Sequence, residues 1–213
     1  MKKIAICGAG GFGREVAGLI KKINEKQPQW ELIGFFDPDF EKGTMNEYGI
    51  VLGGDDEINK YPDNLSIVLA IASPKIKEKI YKSVNNPKIE FPNIISPDLD
   101  YLDKDNVSLG KGNIICRGGW LSTNVHIGDF NILNVNITVG HDTTIGNYNS
   151  FMPNVNLSGE VSIKDRNYFG VGAIVIQQQK IGSDVTVGAN SLVIKETKDG
   201  MTYVGSPAKV IIR

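Results

Sequence analysis

Metal ligands and disulfide partners are scarce in this chain: among 213 residues there are two cysteines and two histidines. Cys7 and Cys116 lie far apart with no C-x-x-C spacing, which argues against a disulfide framework or a zinc site and fits a reducing, cytoplasmic setting. Both read as small buried hydrophobes. No charge of one sign dominates. The formal net charge is −1, so the electrostatic footprint of a nucleic-acid or anionic-membrane binder is missing. No apolar run approaches membrane-spanning length, and Ile4-Ala5-Ile6-Cys7, behind the basic start Met1-Lys2-Lys3, is too short for a signal peptide.

What is present begins with a short strand, Lys3 to Cys7, ended by Gly8-Ala9-Gly10-Gly11-Phe12-Gly13. Val16, Leu19, Ile20 and Ile23 then recur at helical spacing. Strands at Leu32–Phe36 and Ile67–Ile71 follow, the second leading through Ala72-Ser73-Pro74 into a helix near Lys75–Ser83. This alternation predicts a small parallel sheet, a Rossmann-like α/β unit over residues 1–95. The glycine run matches G-x-G-x-x-G in its strand-to-helix setting, where backbone N–H groups approach a phosphate. Asp37, ending the second strand, is placed to accept from a ribose or sugar hydroxyl. Too few residues precede the next architecture for a full dinucleotide fold, so a half-sized nucleotide site is expected rather than NAD.

From Leu109 to Val193 every sixth residue is apolar, at fifteen of fifteen positions. A six-residue period belongs to neither an α-helix nor a simple strand. It marks a β-helix with triangular coils of 18 residues. Leu109, Ile127, Ile145, Ile163 and Ile181 then stack in one inner column. Asn113, Asn131, Asn149 and Asn167 share the same register and predict a structural hydrogen-bonded ladder. The β-helix is assigned to residues 96–213, with a tail after Val193 and a Pro- and Asp-rich link from Asn86 to Asn106.

The combination resembles the hexapeptide-repeat acyltransferases. More narrowly it is similar to the bacterial group that N-acetylates nucleotide-linked 4-amino-sugars, with the related sialic acid O-acetyltransferases. The resemblance spans the chain, and Ile132-Leu133-Asn134, Gly140-His141-Asp142 and Gly205-Ser206-Pro207-Ala208-Lys209 are its most specific pieces. It implies a left-handed β-helix, a homotrimer with sites between subunits, and acetyl-CoA as co-substrate without a metal. The products would serve surface polysaccharide or glycan synthesis. His141 would be the general base with Asp142 beside it. The thioester arm would pass Ser150, Gly159, Val171 and Ala189, and Lys195 or Lys209 would meet CoA phosphates. Gly10, Gly11, Phe12, Asp37 and Ser73 would line the nucleotide pocket, and Asn134 would reach the sugar. Two departures concern substrate assignment: Phe12 and Ser150 stand where some members carry histidines.

In the repeat frame Val139 points inward and His141 falls on an outward corner, between Thr123 and Gly159 on the adjoining coils. Gly159 has no side chain, which predicts open space over the imidazole for a thioester carbonyl, with the Gly159 N–H as an oxyanion donor. An amine must lose a proton before attacking a thioester, and an imidazole can accept it; Asp142 would hold the ring in one tautomer. His126 is off this register and reads as a surface residue. A metal hydratase on the same β-helix would need three histidines at one site, and two exist. O-acetylation of a sugar hydroxyl and a non-catalytic nucleotide-sugar-binding scaffold are the remaining alternatives.

Overall fold

The hexads build a prism, and the way each one turns explains why it closes. In the computed structural model, which describes residues 1–211, a left-handed residue recurs every sixth position. Asn124, Phe130, Asn136, Asp142, Tyr148, Asn154, Glu160, Arg166, Gln178, Asp184 and Asn190 all have φ between 53° and 63°, and Gly112, Gly118 and Gly172 fill the same place elsewhere. Each such residue bends the chain between two short strands, so three hexads return it to its starting direction.

The result is a left-handed parallel β-helix with three faces. The first carries strands at Ile94–Ile95, Ile114–Ile115, Ile132–Leu133, Ser150–Phe151, Tyr168–Phe169 and Thr186–Val187. Thr202–Val204 and an antiparallel Lys209–Ile211 extend it. The second face runs from Asp100–Tyr101 through Trp120–Leu121, Thr138–Val139, Asn156–Leu157 and Ile174–Val175 to Leu192–Val193. The third runs from Val107–Leu109 through Val125–Ile127, Thr144–Ile145 and Ser162–Ile163 to Lys180–Ile181. Ile127 pairs with Leu109 and Ile145, and Ile163 with Ile145 and Ile181, so the expected inner column is present.

All the inward hexad residues are buried except Leu109, which stays partly exposed at the open lower end. Phe151 and Phe169 stack inside with centroids 4.8 Å apart. The asparagine ladder is complete. The Asn131, Asn149 and Asn167 N–H groups donate to the side-chain oxygens of Asn113, Asn131 and Asn149 at 2.8–2.9 Å, and all four residues are fully buried. It also continues at both ends, to Asn93 Oδ1 below and to the Val185 N–H above.

The stretch 86–106 is not merely a link. It contains the first coil, beginning at Ile94, one turn earlier than the unbroken apolar series indicates. Two extra residues between Tyr101 and Leu109, accommodated around a 3₁₀ turn at Lys104–Asn106, shift the register and hide this coil from a six-residue count.

The N-terminal unit is a six-stranded sheet ordered β3-β4-β2-β1-β5-β6. Its strands are β1 (Lys2–Cys7), β2 (Trp30–Phe36), β3 (Met45–Asn46), β4 (Gly49–Gly53), β5 (Leu65–Leu69) and β6 (Ile89–Glu90). All pairings are parallel except the β3–β4 hairpin. Helix α1 (Gly11–Lys26) buries Val16, Ala17, Ile20 and Ile23, and α2 (Pro74–Ser83) follows β5. The chain reverses its lateral direction at β1, between β2 on one side and β5 on the other. This is the switch point at which open α/β sheets hold ligands.

The two units meet on the first face of the β-helix. Its outward residues Ile94, Ile114 and Ile132 are at most 1 % exposed and pack in one cluster with the buried side of α1. Further up, α2 takes over, with Tyr81 edge-on to Phe91 and against Phe130, which stacks on Tyr148. No helix among the described residues is long and apolar enough to cross a membrane.

Candidate active site

His141 follows the second-face strand Thr138–Val139 and sits on the corner leading to the third face. Gly140 is required there, because a Cβ would lie 2.5 Å from the Gly159 nitrogen on the next coil. Side chains of neighbouring residues usually diverge, yet His141 and Asp142 converge. Asp142 occupies the left-handed position (φ 56°), and its Oδ2 lies 2.7 Å from His141 Nδ1. Asp142 Oδ1 accepts a 2.6 Å hydrogen bond from Asn124 Nδ2, one coil below. The Asn124 amide, followed by the His141 ring, holds the Asp142 carboxyl below the usual carboxylate range. Because a carboxylate only accepts, Nδ1 carries the hydrogen and Nε2 presents a lone pair. Both side chains are about half exposed, 55 % and 50 %.

The space above Gly159 is not an open slot. A Cβ at Gly159 would meet His141 Nε2 at 2.5 Å and Cε1 at 2.7 Å, so the imidazole itself occupies the room that the missing side chain leaves. With Nδ1 bonded to Asp142, the far end of the ring, Nε2 with Cε1 and Cδ2, reaches the next coil at Gly159. Among the described residues the Gly159 N–H has no acceptor, while its carbonyl accepts from Gln178.

The four residues expected along the thioester arm do not share one corner. Val171 and Ala189 are exposed on the edge between the first and second faces, and Gly159 lies on the edge between the second and third. Between these edges the second face exposes Ile174 at 41 %. Ser150 departs from expectation. It points outward from the first face but is fully buried, because Lys77 of α2 covers it. Lys77 Nζ donates to Ser150 Oγ at 3.1 Å and to the Asn149 carbonyl at 3.2 Å. Desolvation pushes the Lys77 amine down to about 7. A lysine in an otherwise charged helix gives no sequence signal of burial beyond its spacing from Ile80.

The glycine loop divides by role. Gly8 (φ 106°) and Gly13 are packed against backbone, Gly8 against Ala70 and Gly13 against Gly8 itself, so neither tolerates a side chain. Gly10 and Gly11 are exposed, with no atom within 4 Å of where a Cβ would sit. They open the N-terminus of α1, which has no side-chain cap and no acidic residue in its first turn, so its free N–H groups suit an anion. Asp37 does not stand free beside the loop. Its Oδ2 accepts from the Ala9 N–H at 2.7 Å and its Oδ1 from the Asp39 N–H at 2.9 Å, so it shapes the loop while keeping lone pairs for a hydroxyl.

Beside Gly10 a pocket of about 230 Å³ is lined by Ala9, Arg14, Phe40, Thr44, Met45 and Asn46. The hairpin residues were not legible as site residues, since only the β3–β4 turn brings them to the loop. Phe12 is half-buried against the α1 cluster. Ser73 precedes α2 at the same sheet edge and makes no capping bond. Asn134 is 8 % exposed; its Oδ1 accepts from the Val135 N–H, and it lines a 460 Å³ pocket with Glu15, Arg117 and Pro153 beside α1. His126 is an exposed residue bonded to Ser108 at 2.7 Å. Lys195 and Lys209 are exposed. Among the described residues no three His, Cys, Asp or Glu side chains gather as a metal site.

Residues 3–84 match the PglD N-terminal domain. No curated protein sequence matches the chain. Three solved structures share its architecture from end to end. WeeI from Acinetobacter baumannii is 29 % identical, with a TM-score of 0.88 over 99 % of this chain and 100 % of that one. The acetyltransferase domain of PglB from Neisseria gonorrhoeae, solved with acetyl coenzyme A, is 28 % identical, with a TM-score of 0.87 over 99 % of both chains. PerB from Caulobacter crescentus, solved with CoA and GDP-perosamine, is 26 % identical, with a TM-score of 0.88 over 99 % of this chain and 98 % of that one. With a PglD N-terminal domain docked on a hexapeptide-repeat β-helix, the chain resembles over its whole length the nucleotide-sugar N-acetyltransferase group of the hexapeptide-repeat acyltransferases.

Proposed function

We propose that this protein transfers the acetyl group of acetyl-CoA to the amino group of a nucleotide-linked amino-sugar, with His141 as general base. The observation that carries the role of His141 is its geometry. Nδ1 is tied to Asp142, and Nε2 is left as an acceptor on an exposed edge. The amine nitrogen attacks the thioester carbon, and its proton passes to Nε2. The oxyanion that forms accepts from a backbone N–H, for which the Gly159 amide, without an acceptor among the described residues, is the candidate. Collapse breaks the C–S bond, and the imidazolium returns its proton to the departing thiolate.

The N-terminal unit holds the nucleotide. Its diphosphate lies against the N–H groups opened by Gly10 and Gly11, and Asp37 accepts from a hydroxyl. The split between the His141 edge and the Val171–Ala189 edge supports an assembly in which the thioester arm runs between second and neighbouring faces of adjacent copies, a homotrimer. The apolar exposure of Val171 and Ile174 supports the same arrangement. Two buried free thiols fit a cytoplasmic enzyme.

The test is His141→Ala. Acetyl transfer to nucleotide-linked amino-sugars should fall by roughly 10²–10⁴-fold, while oligomer mass and CoA affinity hold. Unchanged turnover removes His141 from the chemistry, and transfer to hydroxyl acceptors alone makes the enzyme an O-acetyltransferase.

A further inference from the structure

We infer that Asn124 is a positioning residue for the His141–Asp142 pair, acting from one coil below. It rests on the reading of His141 as the base. The argument begins with a weakness of the pair itself. A hydrogen bond between two half-exposed side chains is weak, too weak to keep a carboxylate from rotating and releasing Nδ1. Asp142 is held at a second point. Its Oδ1 takes the Asn124 amide at 2.6 Å while its Oδ2 takes Nδ1 at 2.7 Å, so both oxygens are engaged on opposite sides and the carboxylate plane is fixed.

The backbone makes this possible. Asn124 (φ 55°) and Asp142 (φ 56°) occupy the same left-handed position on successive coils, which stacks their side chains up one edge. Asparagine suits that position twice over, since it tolerates the left-handed region and its NH₂ can only donate. The next pair in the column is Glu160 with Gln178, again an acid joined to an amide, but among the described residues no imidazole is hydrogen-bonded to it. Only the lower pair is coupled to a ring, through the order Asn124, Asp142, His141. Among the described residues Asn124 makes no hydrogen bond to the His141 ring, so its effect on chemistry passes through Asp142 to the tautomer of His141.

Asn124→Gly tests this, because glycine accepts the left-handed backbone and removes only the amide. Asn124→Asp is its companion, placing a second carboxylate against Asp142. Both variants should lose five- to tenfold in kcat, with KM for acetyl-CoA within twofold of the parent. In the ¹⁵N spectrum of labelled protein, the His141 ring should change from one tautomer, protonated at Nδ1, to a mixture in Asn124→Gly. In Asn124→Asp the added negative charge should move the acid limb of the kcat/KM profile to higher pH. Asn124→Gln, which keeps the donor, should recover most of the rate. A glycine variant with parental kcat, or with reduced kcat and an unaltered tautomer, overturns the assignment. If His141→Ala is inactive in the same assay, that result condemns Asn124 alone; if His141→Ala is active, base and positioning residue both fall.

Discussion

Gly159 is where a single hydrogen atom in place of a methyl decides the geometry of the reacting group. Its backbone has an ordinary φ, so alanine is conformationally allowed, but the new Cβ would occupy the position of the His141 ring edge. Gly159→Ala should therefore keep its melting temperature and lose roughly 10²-fold in turnover, the order expected for a displaced catalytic group; a fully active variant would show that the imidazole works from another rotamer. At this scale the sequence was informative about identity and less so about posture. The repeat frame alone places His141 on an outward corner above Gly159. That the ring fills the gap follows from Asp142 being left-handed, which a six-residue count does not reveal. Ser150 was misplaced for a different reason: its cover comes from Lys77, 73 residues away in the chain.

A coil of three two-residue strands has few backbone bonds of its own, so its cohesion depends on what runs between coils. Asn149 shows how. It gives its N–H and side-chain amide to Asn131 Oδ1 and takes the Asn167 N–H on its own Oδ1. Alanine there leaves the fully buried Asn167 N–H without an acceptor, at a cost of about 2–3 kcal/mol including the space vacated. Urea unfolding of Asn149→Ala should show that loss as a lower midpoint with the slope retained. A neutral result would mean that water or a shifted strand replaces the amide. Ladder and inner columns were readable from the sequence because both obey the same 18-residue register. The first coil was not, since two additional residues before Leu109 break the count while leaving the strand pairing intact.

Across the whole molecule, the junction between the two units is apolar low down and holds a lone amine higher up. Ile94, Ile114 and Ile132 meet α1; Lys77 meets Ser150, and among the described residues no carboxylate is bonded to it. Burial lowers the Lys77 amine from 10.5 to about 7. Above 10.5 it is neutral in folded and unfolded chains alike. Between 10.5 and about 7 only the unfolded chain takes up the proton, so stability falls as pH falls, and below 7 the full penalty is in place. Lys77→Met should remove this component. Denaturation at pH 7 and pH 9 should give the variant a smaller gain, or a larger loss, than the parent between the two values, and an identical difference would mean that the amine reaches solvent. The α/β unit and the prism were each legible from local pattern. Their docking was not, because outward isoleucines on one face and a lysine on a helix have meaning only once the two surfaces are opposed. The left-handed bends carry a wider implication. The prism specifies a dihedral angle at each of them and almost nothing else, as the presence of Phe130, Asp142, Arg166 and Asn190 in equivalent places demonstrates. Its edges thus serve as interchangeable sockets: chemistry can be installed, moved by one storey or erased there while the walls beneath are left untouched.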